Sequence, residues 1–283
     1  MIYLLALGSA VLYGAADFLG GLASRRASTI VIVVIVQAAG LAPLALLLLL
    51  LPGTPSRADL WWGMAAGLAG SAGVGLLYRA LAIGTMSIVA PTTAVCAVVL
   101  PVVVDAAAGE RLSLAAWGGI VLALVAIVLV NQHDAGHPPE HAAASDGLPP
   151  GLTLAFVSGV AIGLFFISLA RASAAAGLWP LVVSRSVSLV LFSAAVVARR
   201  QSMRLPGDVM RVALACGVLD MLANALYLFA IRGGPLSVIV TLASLYPAST
   251  VLLARLVIGE RLSRRQTTGV VCALVAVLLI VGD

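Results

Sequence analysis

The chain contains no lysine, and charged residues fill only 10% of its 283 positions. So few polar side chains cannot coat a water-facing globule of this length, which excludes an ordinary soluble domain. Histidine is missing from every apolar run, because His133, His137 and His141 all fall between residues 132 and 150. With no HExxH, GxSxG or P-loop pattern either, the chain carries no enzyme signature and implies no cofactor. Its three cysteines, Cys96, Cys216 and Cys272, lack CxxC or zinc spacing and read as small core hydrophobes. No basic helix or aromatic-basic patch points to nucleic acid.

What the chain does have is apolarity: 62% hydrophobic residues and a mean hydropathy of +1.17. Hydrocarbon cannot satisfy backbone amides, so such a chain crosses a bilayer as helices or as a closed barrel. Residues 30–51 run continuously apolar rather than alternating, which selects helices. With about 20 apolar residues needed per crossing, spans are predicted at 2–22, 30–51, 61–83, 86–107, 113–131, 151–171, 178–198, 209–231, 235–257 and 264–282. The reading is an all-α integral membrane protein with ten transmembrane helices. The lipid bilayer is its obligatory partner; a monomer suffices, and a homodimer is compatible.

Residues 132–150 form the one long hydrophilic interruption and read as a solvated linker. Its three histidines are spaced for one helical face and a metal, but Pro138 and Pro139 break such a helix. On either side the chain repeats itself. Residues 109–113 and 259–263 both read Gly-Glu-Arg-Leu-Ser, and Gly119, Leu124, Val125 and Ala126 recur as Gly269, Leu274, Val275 and Ala276. Ser87 pairs with Ser237 at the same offset, and Tyr78 with Tyr227 one residue shorter. The halves are therefore 1–131 and 151–283. Each holds an odd number of spans, so the second enters the membrane upside down, and the two form inverted five-helix repeats. In each repeated turn the glycine suits the left-handed residue that closes a helix. That places Glu110 and Glu260 at the membrane surface, as turn residues or as gates.

Tyr13-Gly14 followed by Asp17-Phe18 in the first span, the repeated turn after spans four and nine, and Pro247 thirteen residues before Glu260 resemble the EamA-type transporters of the drug/metabolite transporter superfamily. The resemblance covers essentially the whole chain. It implies a multi-pass transporter of the bacterial cytoplasmic (inner) membrane that exports or exchanges small metabolites, amino acids or drugs. It also implies a central cavity walled mainly by spans one, three, four, six, eight and nine, and termini in the cytoplasm. The arginine distribution, ten on the face of the loops after odd-numbered spans against four on the other, implies the opposite sidedness. This chain departs from the family pattern in having Ala97 opposite Pro247, and Asp17 where asparagine is common.

Within the spans, Asp220, Asn224 and Tyr227 are spaced i, i+4, i+7 and share one helical face. Ser9, Tyr13 and Asp17 do the same in span one, Ser71, Gly75 and Tyr78 in span three, and Ser237, Thr241 and Ser244 in span nine. A polar stripe at membrane depth faces protein or a water-filled cavity, and these stripes are expected to wall a substrate site. Ionisable groups at that depth, Asp17, Arg79, Arg185 and Asp220, either fix helix register as ion pairs or do work. In the working reading, Asp17 and Asp220 take a coupling proton or an amine, while Arg79 or Arg185 holds an anionic group. Gln37 aligns near Arg185 as its neutral counterpart in the first half. Pro91 and Pro247 free backbone carbonyls within spans four and nine, for a hinge, a gate or a plain kink. Gly63, Gly67, Ser71 and Gly75 form a small-residue seam for close packing. The function expected is secondary active transport by alternating access, with proton coupling as an option. A facilitative carrier, or a non-transporting scaffold or sensor that keeps the fold, is the competing reading.

Overall fold

The computed structural model describes residues 2–107, 114–131, 150–233, 243, 245–260 and 262–281. Its described residues form ten α-helices: α1 (Ile2–Ser24), α2 (Thr29–Leu50), α3 (Arg57–Ile83), α4 (Met86–Ala107), α5 (Leu114–Asn131), α6 (Leu152–Ala170), α7 (Trp179–Ala198), α8 (Gly207–Gly233), α9 (Tyr246–Val257) and α10 (Arg264–Val281). A single 3-10 turn, Ala174–Ala176, lies between α6 and α7. Among the described residues, α1, α2, α3, α6, α7 and α8 are each long and apolar enough to cross a membrane. Shorter apolar stretches lie at Met86–Ala97 in α4, at α9, and at Thr267–Ala276 in α10. The fold is all-helical. The predicted linker, apart from Pro150, lies outside the described residues, as do the first repeated turn with Glu110, most of residues 234–244, and Arg261 of the second turn.

Helix ends follow local chemistry where apolarity alone misjudges them. The third helix begins at Arg57, before the apolar run, because Ser56 and Asp59 form a reciprocal capping box that satisfies its first amides. Pro247 occupies the first turn of α9, where its fixed φ suits helix initiation. Pro91 is buried within α4, which also contains Pro101, and Pro43 lies within α2. Gly259, at φ +68°, takes the left-handed conformation expected of the residue that closes α9.

Helices pair across the two parts of the chain. The α1 helix packs along α8 and α3 along α6; α4 on α6 is matched by α9 on α1, and α3 on α7 by α2 on α8. The α5–α10 and α2–α7 pairs complete the set. Exchanging α1–α5 with α6–α10 maps these pairings onto themselves. The small-residue seam of α3 meets α7: a Cβ on Gly67 would lie 2.7 Å from Val187 Cβ and 2.9 Å from the Ser184 carbonyl. Close backbone approach without bulky side chains replaces the hydrophobic drive that lipid cannot supply. Leu49, Leu114, Val197 and Leu256 point outward and are largely exposed, as lipid-facing residues must be. Trp61, Trp62, Trp117 and Trp179 all stand within the first two turns of α3, α5 and α7, suited to the headgroup boundary.

Candidate functional site

At the midpoint of α8, Asp220 forms an ion pair with Arg185 of α7. An arginine at membrane depth cannot shed its proton, so burial requires that its donors be matched. Each of its three nitrogens has a partner. One terminal nitrogen donates to the Asp220 carboxylate, Nη1 donates to Gln37 Oε1 at 2.8 Å, and Nε points at Met221 Sδ at 3.2 Å. Gln37 in turn donates from Nε2 to Ser188 Oγ at 2.6 Å. Gly40 of α2 makes room for the guanidinium, whose Cζ would lie 2.7 Å from a Cβ placed there. Asn224, expected to face the cavity with Asp220, donates its amide back to the Asp220 carbonyl at 2.8 Å.

Asp17 presents the opposite situation. It accepts no hydrogen bond and no ion pair among the described residues, while lying within electrostatic range of Asp220. One turn earlier on the same face, the Tyr13 hydroxyl is buried and has no partner among the described residues. The Tyr13 ring meets Tyr246 edge-on, with centroids 6.4 Å apart, and Tyr227 leans on Phe166 at 6.0 Å. Tyr13, Asp17, Tyr227 and Tyr246 are each only partly buried, and Tyr227 and Asp17 both lie within electrostatic range of Tyr13. Contact of α1 with α8 and α9 positions these groups. Thr250 anchors the α1–α9 contact by donating to the Gly14 carbonyl at 3.0 Å.

Two further expected wall residues differ in their setting. Tyr78 is a core residue, 2% exposed, whose hydroxyl lies 3.2 Å from Cys216 Sγ. Its ring lies over Gly20, where no Cβ fits. Cys216 also donates to the Ala16 carbonyl at 3.2 Å, a polar duty beyond packing. Arg79 is exposed on the last turns of α3 and does not join the charged cluster. A 27-residue helix carries it to the end of the span, where its long stem reaches the surface. Ser237 and Thr241 lie outside the described residues.

Glu260 is more than a surface turn residue. Its side chain is 12% exposed and accepts the first amides of α4, Met86 N at Oε1 and Ser87 N at Oε2, both at 2.9 Å. Arg25, at the end of α1, reaches Glu260 Oε1 at 3.2 Å and also donates to the carbonyls of Leu81 and Gly84. The carboxylate thus caps a helix from the other half of the chain, with the positive helix terminus and an arginine both facing it. Nearby, Arg26 pairs with Asp208 at 2.6 Å and Ser28 donates to Gln201 at 2.7 Å, tying the same end together. At the other end, Asp59 accepts from Ser173 N at 2.6 Å, and Thr54 N donates to the Ala175 carbonyl at 2.9 Å.

Tyr246, Ser188 and Arg25 escaped sequence reasoning. Arg25 reads as one loop charge among many, and Tyr246 stands in a different helix from the acid it faces. Among the described residues, no group of three or more His, Cys, Asp or Glu side chains is placed to hold a metal, and the three histidines lie outside them.

Comparison with known proteins adds the last piece. No curated protein matches the chain. The model of the EamA-like transporter family matches it twice, over residues 1–132 and 149–282. Covering nearly every residue of a multi-pass helical membrane fold, that match shows that the chain belongs to the EamA-like transporter family.

Proposed function

We propose that this protein is a secondary active transporter that exports or exchanges a small organic molecule across a bacterial cytoplasmic membrane by alternating access. In this reading ten helices cross the bilayer, and residues 1–131 and 151–283 are inverted repeats joined by 132–150, which rock about a central site. The observation that carries it is the charged cluster, to which both halves contribute: Asp17 and Gln37 from the first, Arg185 and Asp220 from the second. A scaffold gains nothing from an unpaired carboxylate at membrane depth, whereas a carrier needs a polar group that its cargo or a proton can satisfy. Asp220 is held by Arg185, so coupling to protons runs through Asp17. Asp220, Tyr13, Tyr78, Cys216 and Tyr246 are the titratable groups that surround it.

Gating belongs, in this reading, to the clasp at Glu260. It joins the turn after α9 to the starts of α4 and the end of α1, so the cavity opens on that face only when the clasp releases. Pro91 leaves an α4 carbonyl without its usual amide, giving the capped helix a point of bending. Flux of a panel of small amines, amino acids and drugs into proteoliposomes, with and without a proton gradient, tests the proposal. Saturable, gradient-dependent uptake that Asp17→Asn uncouples is expected. Folded protein that moves none of the panel contradicts it.

A further inference from the structure

We infer that the cavity between α1, α8 and α9 selects an organic cation, a small aromatic or alkyl amine, and that Asp17 is its counter-ion. The inference rests on the transport reading of this same cavity. Pairing decides the class. Two acids and one arginine stand in the cluster, Asp17, Asp220 and Arg185, and the last two satisfy each other in an ion pair. What remains is the Asp17 carboxyl, which has no partner among the described residues and which a bound cation would hold in its ionised form.

An anionic cargo needs an accessible guanidinium whose charge is not already matched, whereas Arg185 is 5% exposed and paired with Asp220. Nη1 also donates to Gln37, and Nε points at Met221. A cationic cargo finds what it requires. Beside the Asp17 carboxylate, the buried Tyr13 hydroxyl lacks a partner and is free to accept an ammonium hydrogen. The crossed rings of Tyr13 and Tyr246 and the tilted Phe166–Tyr227 pair offer aromatic surface nearby, Tyr227 lying within electrostatic range of Tyr13. Such faces attract a desolvated cation through the ring quadrupole and accept the apolar body that accompanies it. Two independently unsatisfied groups one helical turn apart, both beside aromatic rings, describe a ligand that is positive at one end and apolar at the other.

Tryptamine, indole acetate and tryptophan share one ring system and differ in charge, so they form the test set. Binding of each to the full chain in detergent, and flux of each in proteoliposomes, is measured for the natural sequence, Asp17→Asn, Asp17→Glu and Tyr13→Phe. Tryptamine is expected to bind best. Asp17→Asn should weaken it about 30-fold or more, the scale for removing one partner of a buried charge pair, while Asp17→Glu retains a substantial part. Tyr13→Phe should weaken binding about 10-fold or more, as the loss of one hydrogen bond to a charged group does. A cooperative thermal transition like that of the natural sequence certifies each variant as folded, and Asp17→Glu keeps the test decisive if Asp17→Asn does not fold. Tighter binding of indole acetate or tryptophan, equal tryptamine binding with and without the Asp17 charge, or no binding of any probe overturns the inference. Asp17-dependent tryptamine binding without flux supports the cation site and instead overturns transport. Flux of tryptophan or indole acetate alone does the reverse.

Discussion

Glu260 and Met86 lie 174 residues apart, yet the carboxylate of one caps the helix that begins at the other, with Oε1 2.9 Å from the Met86 amide. A helix start leaves its first amides without intrahelical partners and carries partial positive charge, so an acid there is favourable on both counts. Because the acid comes from the turn after α9, the cap is also a tie between the two halves. Helix packing elsewhere joins the halves along their lengths; this contact joins them at one end, where a small rotation can break it.

Removing the acid should therefore open that end without unfolding the protein. Loss of a charged cap corresponds to about 1–2 kcal/mol, or roughly 5- to 30-fold in the balance of closed and open forms. A cysteine at Thr85, beside Glu260 in the small pocket that Arg25 and Gly84 also line, reports it. Its modification by a membrane-impermeant thiol reagent should accelerate by that factor in Glu260→Ala and by less in Glu260→Gln, which keeps one acceptor. An unchanged rate denies the clasp its gating role.

Arg185→Met should destabilise the protein strongly, by about 3 kcal/mol, because Asp220 is left charged with its partner gone. The double variant Arg185→Met with Asp220→Leu should recover much of the loss, since apolar groups of similar size need no matching charge. Thermal unfolding of the purified proteins in detergent measures both. If the single and double variants melt alike, the ion pair does not hold α7 to α8.

Gly67→Val places branched carbons where α3 and α7 leave no room, the nearest atoms being Val187 Cβ and the Ser184 carbonyl. The expected result is loss of a monodisperse peak in size-exclusion chromatography. Gly207→Ala provides the control, because nothing lies within 4 Å of a Cβ at that position. Equal behaviour of the two would remove close packing as the reason for the seam.

Asp59 is bound at once to its own helix start and to Ser173, which follows α6. Asp59→Asn keeps one carbonyl-like acceptor, whereas Asp59→Ala removes every bond. The melting temperature should fall in the order natural sequence, Asn, Ala, with transport at moderate temperature largely kept, because this end lies away from the charged cluster.

Much of this architecture is legible in the sequence because the bilayer imposes it. Twenty-residue apolar runs need no partner to be recognised, and a polar stripe such as Asp220, Asn224 and Tyr227 stands out against them. What such a stripe conceals is how its members are used: Asn224 bonds back to its own helix, and in the matching stripe of α3 the Tyr78 hydroxyl is engaged by Cys216. Gln37 and Arg185 were visible as counterparts in the two halves, but their direct hydrogen bond follows from the α2–α7 contact, which sequence spacing cannot supply. Arg79 misled for a related reason. Its distance from the helix end, rather than its place in an apolar run, decides whether it must be paired. The Glu260 cap was hidden because helix-start chemistry is normally sought in the residues just before the helix, and here it comes from the other half.

Accessibility of the cavity from the two faces of the membrane tests alternating access most directly. A cysteine at position 227, with Cys96 and Cys272 replaced by alanine and Cys216 by serine, is exposed to an impermeant thiol reagent from one side or the other of oriented vesicles. With Glu260 in place, labelling should come from the face opposite the clasp, and with Glu260→Ala it should shift toward the clasp's own face. Labelling from the same single face in both proteins, or from neither, contradicts a carrier that alternates about this site.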